Sequence, residues 1–279
     1  MDLWYSDYHV DDVRLSINVE REIYSHQTEF QHIAILDSKE FGRILTLDGE
    51  LISTEKDEFF YSEMMVHVPM AVRPKIKKVL VIGGCDGGIL KELCKYPTIE
   101  QIDVVELDAQ VVQICQQFFP SAGQAFQDER VQLSIQDALK FMRRKEDEYD
   151  LIIVDSANPF GVNESLFTRE FYGSCYNALK PQGVLISQHA NAFYAEDEEA
   201  FNHIRKRLTS VFENNYVYMA SIPTYAAGYL LFGYSCKSGH PLLDLQKEVW
   251  ESLAIPTQFY NVALHQGAFA LPNYIKELL

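Results

Sequence analysis

Lys78-Val-Leu-Val-Ile-Gly-Gly-Cys-Asp-Gly-Gly-Ile-Leu90 is the stretch on which the fold turns. Its first five residues form a near-continuous apolar run, as a strand covered on both faces requires. Gly83, Gly84, Gly87 and Gly88 then permit a tight turn and a close approach of backbone to a ligand. A helix over residues 89–96 follows. Further on, Ile102-Asp-Val-Val-Glu106 reads as a second strand, with a helix running through Val111 and Cys115. Residues 131–135, 151–155 and 184–187 give a third, fourth and fifth strand, and residues 168–179 and 197–212 give helices. Strand and helix alternating at this spacing predict a doubly wound parallel sheet. Residues 216–221 and 229–235 break the pattern. Only Ile222-Pro-Thr-Tyr-Ala-Ala-Gly228 joins them, too short for a helical crossover, so this pair is predicted to be antiparallel.

The chain before residue 73 differs in style. Phe30-Gln-His-Ile-Ala-Ile-Leu36 and Arg43-Ile-Leu-Thr-Leu47 are β-prone runs punctuated by Gly42 and by Asp48-Gly49. They predict a small antiparallel meander. Residues 56–72 read as a helix, with Phe59, Met64, Val68 and Val72 spaced at three to five, and Pro74 ends it. The predicted organisation is therefore α/β: residues 1–72 form a β-meander plus linking helix, and residues 73–279 a nucleotide-binding domain. A mostly parallel sheet that ends in an antiparallel hairpin resembles the Rossmann-like methyltransferase architecture rather than a dehydrogenase.

Composition removes several function classes. The net charge of −16 leaves no basic footprint for nucleic acid, and such a field favours cationic partners over long range. Cys85, Cys94, Cys115, Cys175 and Cys236 are odd in number and contain no CxxC pair. A zinc site or disulfide framework is not expected, and a reducing cytoplasm is. The first residues, MDLWYSDYHVDD, lack the basic and apolar regions of a signal peptide. No apolar run approaches the roughly 20 residues of a membrane span.

Ligands of open α/β sheets sit at the carboxyl ends of the strands. Here those ends are the loop containing Asp86, then Glu106, Asp137, Asp155 and Gln188. One acid at a strand end commonly serves a turn or a cap; four along one sheet edge point to a site. Glu106, at the end of the second strand, is placed to accept both hydroxyls of a ribose. Asp137 is placed either to accept from an adenine amino group or to cap the helix that follows. Asp86 lies inside the glycine loop, where its charge would repel a pyrophosphate or the carboxylate of S-adenosylmethionine. It suits a nucleotide whose tail ends in a bare ammonium, such as decarboxylated S-adenosylmethionine.

Residues 83–88 are similar to the GGGDGG loop of the spermidine synthase (polyamine aminopropyltransferase) family. The resemblance continues through Leu3-Trp4-Tyr5, Thr28-Glu-Phe-Gln31, Asp57-Glu-Phe-Phe-Tyr-Ser-Glu-Met64 and His67-Val-Pro69. It covers Val154-Asp155-Ser156, Glu164-Ser-Leu-Phe167, Ile222-Pro-Thr-Tyr225, His265, Ala268-Phe269 and Leu271-Pro272. It implies transfer of the aminopropyl group of decarboxylated S-adenosylmethionine, as co-substrate, to putrescine or a similar amine, with methylthioadenosine released. No metal or prosthetic group is implied. Gln31, Gly83, Gly84, Asp86, Gly87, Glu106, Asp137 and Ala138 would form the donor site. Asp155 would accept the proton of the attacking amine, and Tyr61, Ser62, Asp86, Asn158, Gln188 and Tyr225 would form the acceptor site. The family's N-terminal meander implies a homodimer or homotetramer.

The departures fall mainly on the acceptor side. The chain reads Asp155-Ser-Ala-Asn158-Pro159 where the family has Asp-x-x-Asp-Pro, so a neutral amide stands at the second acid. Ser62 replaces His or Gln, Val162 and Ala226 replace prolines, and Ala138 replaces a glycine. Two other readings share these residues: a methyltransferase using S-adenosylmethionine, which Asp86 disfavours, and a relative that binds nucleotide or polyamine without turnover.

Overall fold

The computed structural model describes residues 2–10, 12–156 and 161–279. β1 (Leu3–Val10) and β2 (Val13–Val19) make an antiparallel hairpin. β3 (Arg21–Gln27), β4 (His32–Ser38), β5 (Gly42–Leu47) and β6 (Glu50–Thr54) form a four-stranded antiparallel meander in chain order. The hairpin lays Ile17 and Val19 on Leu36, Ile44 and Leu51 of the meander. The meander's other face puts Ile33, Ile35 and Leu45 against the α/β part of the chain. The meander was expected from β4 and β5; β1, β2 and β3 were not. Yet Val13, Leu15, Ile17 and Val19 alternate with polar residues, which is the two-residue period of a half-buried strand.

α1 (Glu58–Val72) links the two parts and is buried from Ser62 to Val72. Then follow β7 (Lys78–Gly83), α2 (Gly88–Cys94), β8 (Gln101–Glu106), α3 (Ala109–Phe118), α4 (Pro120–Ala125), β9 (Val131–Ile135), α5 (Ala138–Met142) and β10 (Tyr149–Asp155). A 3-10 turn over Gly161–Phe167 leads to α6 (Arg169–Ala178), β11 (Leu179–His189), α7 (Ala195–Thr209), β12 (Asn214–Ser221) and β13 (Tyr229–Cys236). Three short helices close the chain: α8 (Lys247–Ser252), α9 (Val262–Ala268) and α10 (Asn273–Lys276).

The seven-stranded sheet has the order β12-β13-β11-β10-β7-β8-β9. β7 to β11 are parallel, and β13 runs antiparallel to both β11 and β12, as expected. Side-chain alternation explains the apolar runs. Val79, Val81, Ile153 and Ile186 face one core with α1, while Leu80, Ile82, Ile152 and Leu185 face another with α6 and α7. The chain winds from β7 through β8 to β9 on one side, then crosses to β10 on the other. β7 and β10 therefore flank the point where the winding reverses, the usual place for a ligand crevice. Among the described residues, no helix is long and apolar enough to cross a membrane.

Candidate active site

The ends of β7 and β10 set the geometry. Gly83 has φ 83°, and a Cβ built on it would lie 2.3 Å from the carbonyl oxygen of Asp155. Only glycine satisfies both the left-handed backbone and that approach. The loop then passes through Gly84 and Asp86, whose Oδ1 accepts from the Gly88 backbone N–H at 3.1 Å, and Gly87 leads into α2.

Asp155 stands at the end of β10. Tyr61, on α1, donates its phenol proton to Asp155 Oδ1 at 2.5 Å, and the Tyr61 hydroxyl also lies 2.8 Å from the side-chain amide oxygen of Gln188, at the end of β11. Three distant segments thus meet at the Tyr61 hydroxyl. Burial, with Asp86 and Glu106 as nearby like charges, pushes the Asp155 carboxyl up to about 7, against the lowering effect of the Tyr61 bond. Tyr225 joins this group. Its phenol is raised by burial and by Asp155, Asp57, Asp86 and Asp7. Buried Asp57, just before α1, holds the adjoining turn by accepting from the Thr224 N–H at 3.2 Å and hydroxyl at 2.6 Å. Asp57 itself lay in a stretch that carries the family resemblance but had no assigned role; its part in seating the turn before Tyr225 needs the folded contact.

On the other side, Glu106 Oε1 accepts from the backbone N–H groups of Leu107 at 2.7 Å and Asp108 at 3.2 Å. Burial raises its carboxyl, partly offset by those two bonds. Buried Asp108 caps α3, and its second oxygen accepts from the Thr28 hydroxyl at 2.7 Å and from Gln31 Nε2 at 3.2 Å. Gln31 is thereby held from β4's end toward the end of β8. Asp108 was not singled out from the sequence, although an acid before a helix start is a recognisable cap signal. Asp137 caps α5, accepting from the Lys140 N–H at 2.8 Å through Oδ1. Ala138, the first residue of α5, is buried beneath it.

Ser62 is not turned toward Asp155. It is 1% exposed and donates to Glu58 of the same helix, behind Gly88, where an added Cβ would lie 2.5 Å from its hydroxyl. Glu58 pairs in turn with Lys91. Asn158 lies outside the described residues. One His and Glu group has metal-like spacing among the described residues: Glu63, His67 and Glu92. Glu63 is occupied by the backbone N–H groups of Gln258, Phe259 and Tyr260, and His67 by Tyr96 and Glu92. These bonds brace α1 against α2 and the C-terminal segment.

The crevice therefore brings Asp86, Glu106 and Asp155 together with the partly buried phenols of Tyr61 and Tyr225 and the amide of Gln188. It suits a ligand with positive charge near Asp86 and Asp155 and hydroxyls near Glu106. At about pH 7 the Asp155 carboxyl is poised to exchange a proton.

Residues 58–247 match the family model described as Spermine/spermidine synthase domain, and residues 3–55 that described as Spermidine synthase tetramerisation domain. The polyamine aminopropyltransferase of Clostridium beijerinckii is 52% identical over 279 residues, covering 100% of this chain and 98% of that protein. That of Alkaliphilus oremlandii is also 52% identical, with the same coverage. A crystal structure of spermidine synthase in complex with the transition state analogue AdoDATO has a TM-score of 0.96 and 36% identity, covering 99% of this chain and 94% of that one. Spermidine synthase from Thermotoga maritima has a TM-score of 0.94 at 36% identity and the same coverage.

Proposed function

Because this chain belongs to the spermine/spermidine synthase family, we propose that it transfers the aminopropyl group of decarboxylated S-adenosylmethionine to putrescine or a similar diamine. One observation carries the site assignment: a half-buried carboxylate, Asp155, hydrogen-bonded to Tyr61 and close enough to Asp86 to feel its charge. The donor's ammonium pairs with Asp86, its ribose hydroxyls donate to Glu106, and Gln31 closes the pocket. Gly83, Gly84 and Gly87 let the backbone approach the sulfonium. Asp137 keeps one oxygen on its cap and offers the other to the adenine amino group, above Ala138.

The amine enters between Tyr61, Gln188 and Tyr225. Its nitrogen lone pair attacks the carbon next to the sulfonium, the carbon–sulfur bond breaks, and its electron pair stays on sulfur in methylthioadenosine. Asp155 takes the proton that the attacking nitrogen must lose. The sulfonium is already an activated leaving group, so most of the remaining catalysis is alignment. Tyr61 orients Asp155 through its hydrogen bond. Ser62 acts through Glu58 behind the glycine loop, and by the family resemblance Asn158 would offer the acceptor a neutral amide in place of an acid. The match over residues 3–55, together with exposed Leu3, Trp4 and Tyr8 on β1, supports assembly into a homodimer or homotetramer. The five free cysteines suit a cytoplasmic setting.

The test is to incubate the protein with a diamine and either decarboxylated S-adenosylmethionine or S-adenosylmethionine. Methylthioadenosine release with the first donor alone is the expected result. Methyl transfer from the second would replace this reading, and binding without turnover would reduce the protein to a nucleotide-binding relative.

A further inference from the structure

Acids outnumber lysines and arginines in this chain by 40 to 24, so a basic side chain on its surface has carboxylates to spare. One groove departs from that balance. It has a volume of about 370 Å³ and is lined by Arg169, His203, Lys206, Arg207 and Ser210. Small-ligand pockets start at about 300 Å³. Arg169 opens α6, while the other four lie on α7 or just past its end, at spacings of three and four that share one helix face. Arg169, His203, Lys206 and Ser210 are exposed and Arg207 is half-buried. The two helices lie side by side. Tyr176 of α6 meets Phe212 edge-on with ring centroids 5.2 Å apart, and Arg207 is near enough to Tyr172 to oppose the rise that burial causes in its phenol.

Among the described residues, the side chains of Arg169, His203, Lys206 and Arg207 form no ion pair and no hydrogen bond. Lys206 and Arg207 have a partial structural account, since they stand in the last turn of α7, where the helix dipole favours positive charge. Arg169 has none. It stands in the first turn of α6, where the dipole favours an anion, and Glu170 in the same turn does not pair with it. Three unneutralised cations around one concavity repel each other, and a concave surface focuses their field outward. An anion seated between them relieves that repulsion. The two guanidinium groups present forks that match phosphate oxygens in pairs, Lys206 adds a point charge and Ser210 a hydroxyl. A lone carboxylate, with two oxygens and one charge, is too small a partner for this set, whereas a diphosphate group has oxygens and charge for all three cations.

We propose that the groove between α6 and α7 is a second ligand site, which binds a small soluble molecule through a diphosphate group. Aminopropyl transfer uses no such group, and the charge of Asp86 keeps it out of the crevice at the ends of β7 and β10, so the two sites take ligands of opposite charge. The extent of the groove, five residues on two helices, suits a small ligand. A nucleic-acid strand needs a longer run of cations, and the net charge of −16 around the groove opposes a long polyanion.

The experiment is calorimetric titration of the full chain with pyrophosphate, with inorganic phosphate and chloride compared at matched ionic strength. One equivalent of pyrophosphate should bind, more tightly than phosphate, and chloride should give no saturable heat. Losing one hydrogen bond between charged groups weakens binding by about tenfold or more, so Arg169→Gln and Arg207→Gln should each show at least that loss. Arg169→Lys keeps the charge without the fork and should fall between Arg169→Gln and the parent. Without pyrophosphate the thermal midpoint of Arg169→Gln, a change at an exposed position, should match the parent's, and added pyrophosphate should raise the midpoint of the parent more than that of the variant. Absence of saturable binding overturns the proposal, as does pyrophosphate affinity unaffected by Arg169→Gln and Arg207→Gln. A short oligonucleotide that binds more tightly than pyrophosphate overturns it as well.

Discussion

Tyr61→Phe isolates what one hydrogen bond does to the proposed base. The substitution keeps the ring that packs 5.5 Å, centroid to centroid, from Phe232, and removes the proton donated to Asp155. Asp155 stands at about 7 because burial, Asp86 and Glu106 raise it while the Tyr61 bond lowers it. A hydrogen bond to a charged group contributes about 1.5–3 kcal/mol, and one pKa unit corresponds to about 1.4 kcal/mol. Losing the bond should move Asp155 up by about one to two units. At pH 7 the parent carboxyl is about half ionised and the variant's about a tenth to a hundredth. Because only the ionised form accepts a proton, kcat/KM should fall about five- to fifty-fold at pH 7 and recover by about pH 9–10. The assay is methylthioadenosine release over that range for both proteins. Taking the ratio of variant to parent cancels titration of the amine substrate itself. A ratio that is low but flat with pH would leave Tyr61 as an aligning residue only. An acid limb that moves to lower pH would refute the electrostatic reasoning.

Asp155→Asn should lower the transfer rate by ~10²–10⁴ with donor binding by calorimetry largely kept; a variant retaining most activity removes Asp155 from the mechanism. The same variant tests linkage. Native Asp155 holds its proton between its ordinary 3.8 and about 7, where an unfolded chain has lost it, so the parent should lose stability as pH rises through that window. Denaturant unfolding of Asp155→Asn should show a flatter dependence there, and an equal slope would contradict the raised carboxyl. Asp86→Asn should weaken the decarboxylated donor by about tenfold and narrow its advantage over S-adenosylmethionine; equal binding of both donors by the parent would defeat the charge argument. Asn158→Asp should lower the putrescine KM by up to about tenfold with kcat less affected, and an unchanged KM would indicate a site suited to another amine.

The parallel sheet was legible because β7, β8 and β10 are covered on both faces, which forces continuous apolar runs, and because a seven-residue link after β12 excludes a crossover. Glu106 and Asp155 were legible for a related reason: strand ends of an open sheet share one edge, so position along the chain implies position in space. β1 and β3 were not, since β1 keeps a largely exposed face and β3 mixes Arg, Glu, Ser, His and Gln among its apolar residues. The closing helices α8, α9 and α10 are too short to show a helical period. The contacts that shape the acceptor side join residues far apart in sequence: Tyr61 with Asp155 and Gln188, Asp57 with Thr224, and β1 with the loop after β11. Local patterning carries no record of such pairs. Asp137 shows the limit at a single residue, because a capping acid and a ligand-binding acid look alike until the helix beneath is seen.

The most direct test of the account follows the transferred atoms. Decarboxylated S-adenosylmethionine carrying isotope in its aminopropyl chain is incubated with putrescine and the protein, and the products are resolved by mass. The account predicts that the label appears in a triamine, one equivalent for each methylthioadenosine formed, and that Asp155→Asn suppresses both together. Label remaining on the nucleotide, or methylthioadenosine formed without labelled triamine, would contradict it.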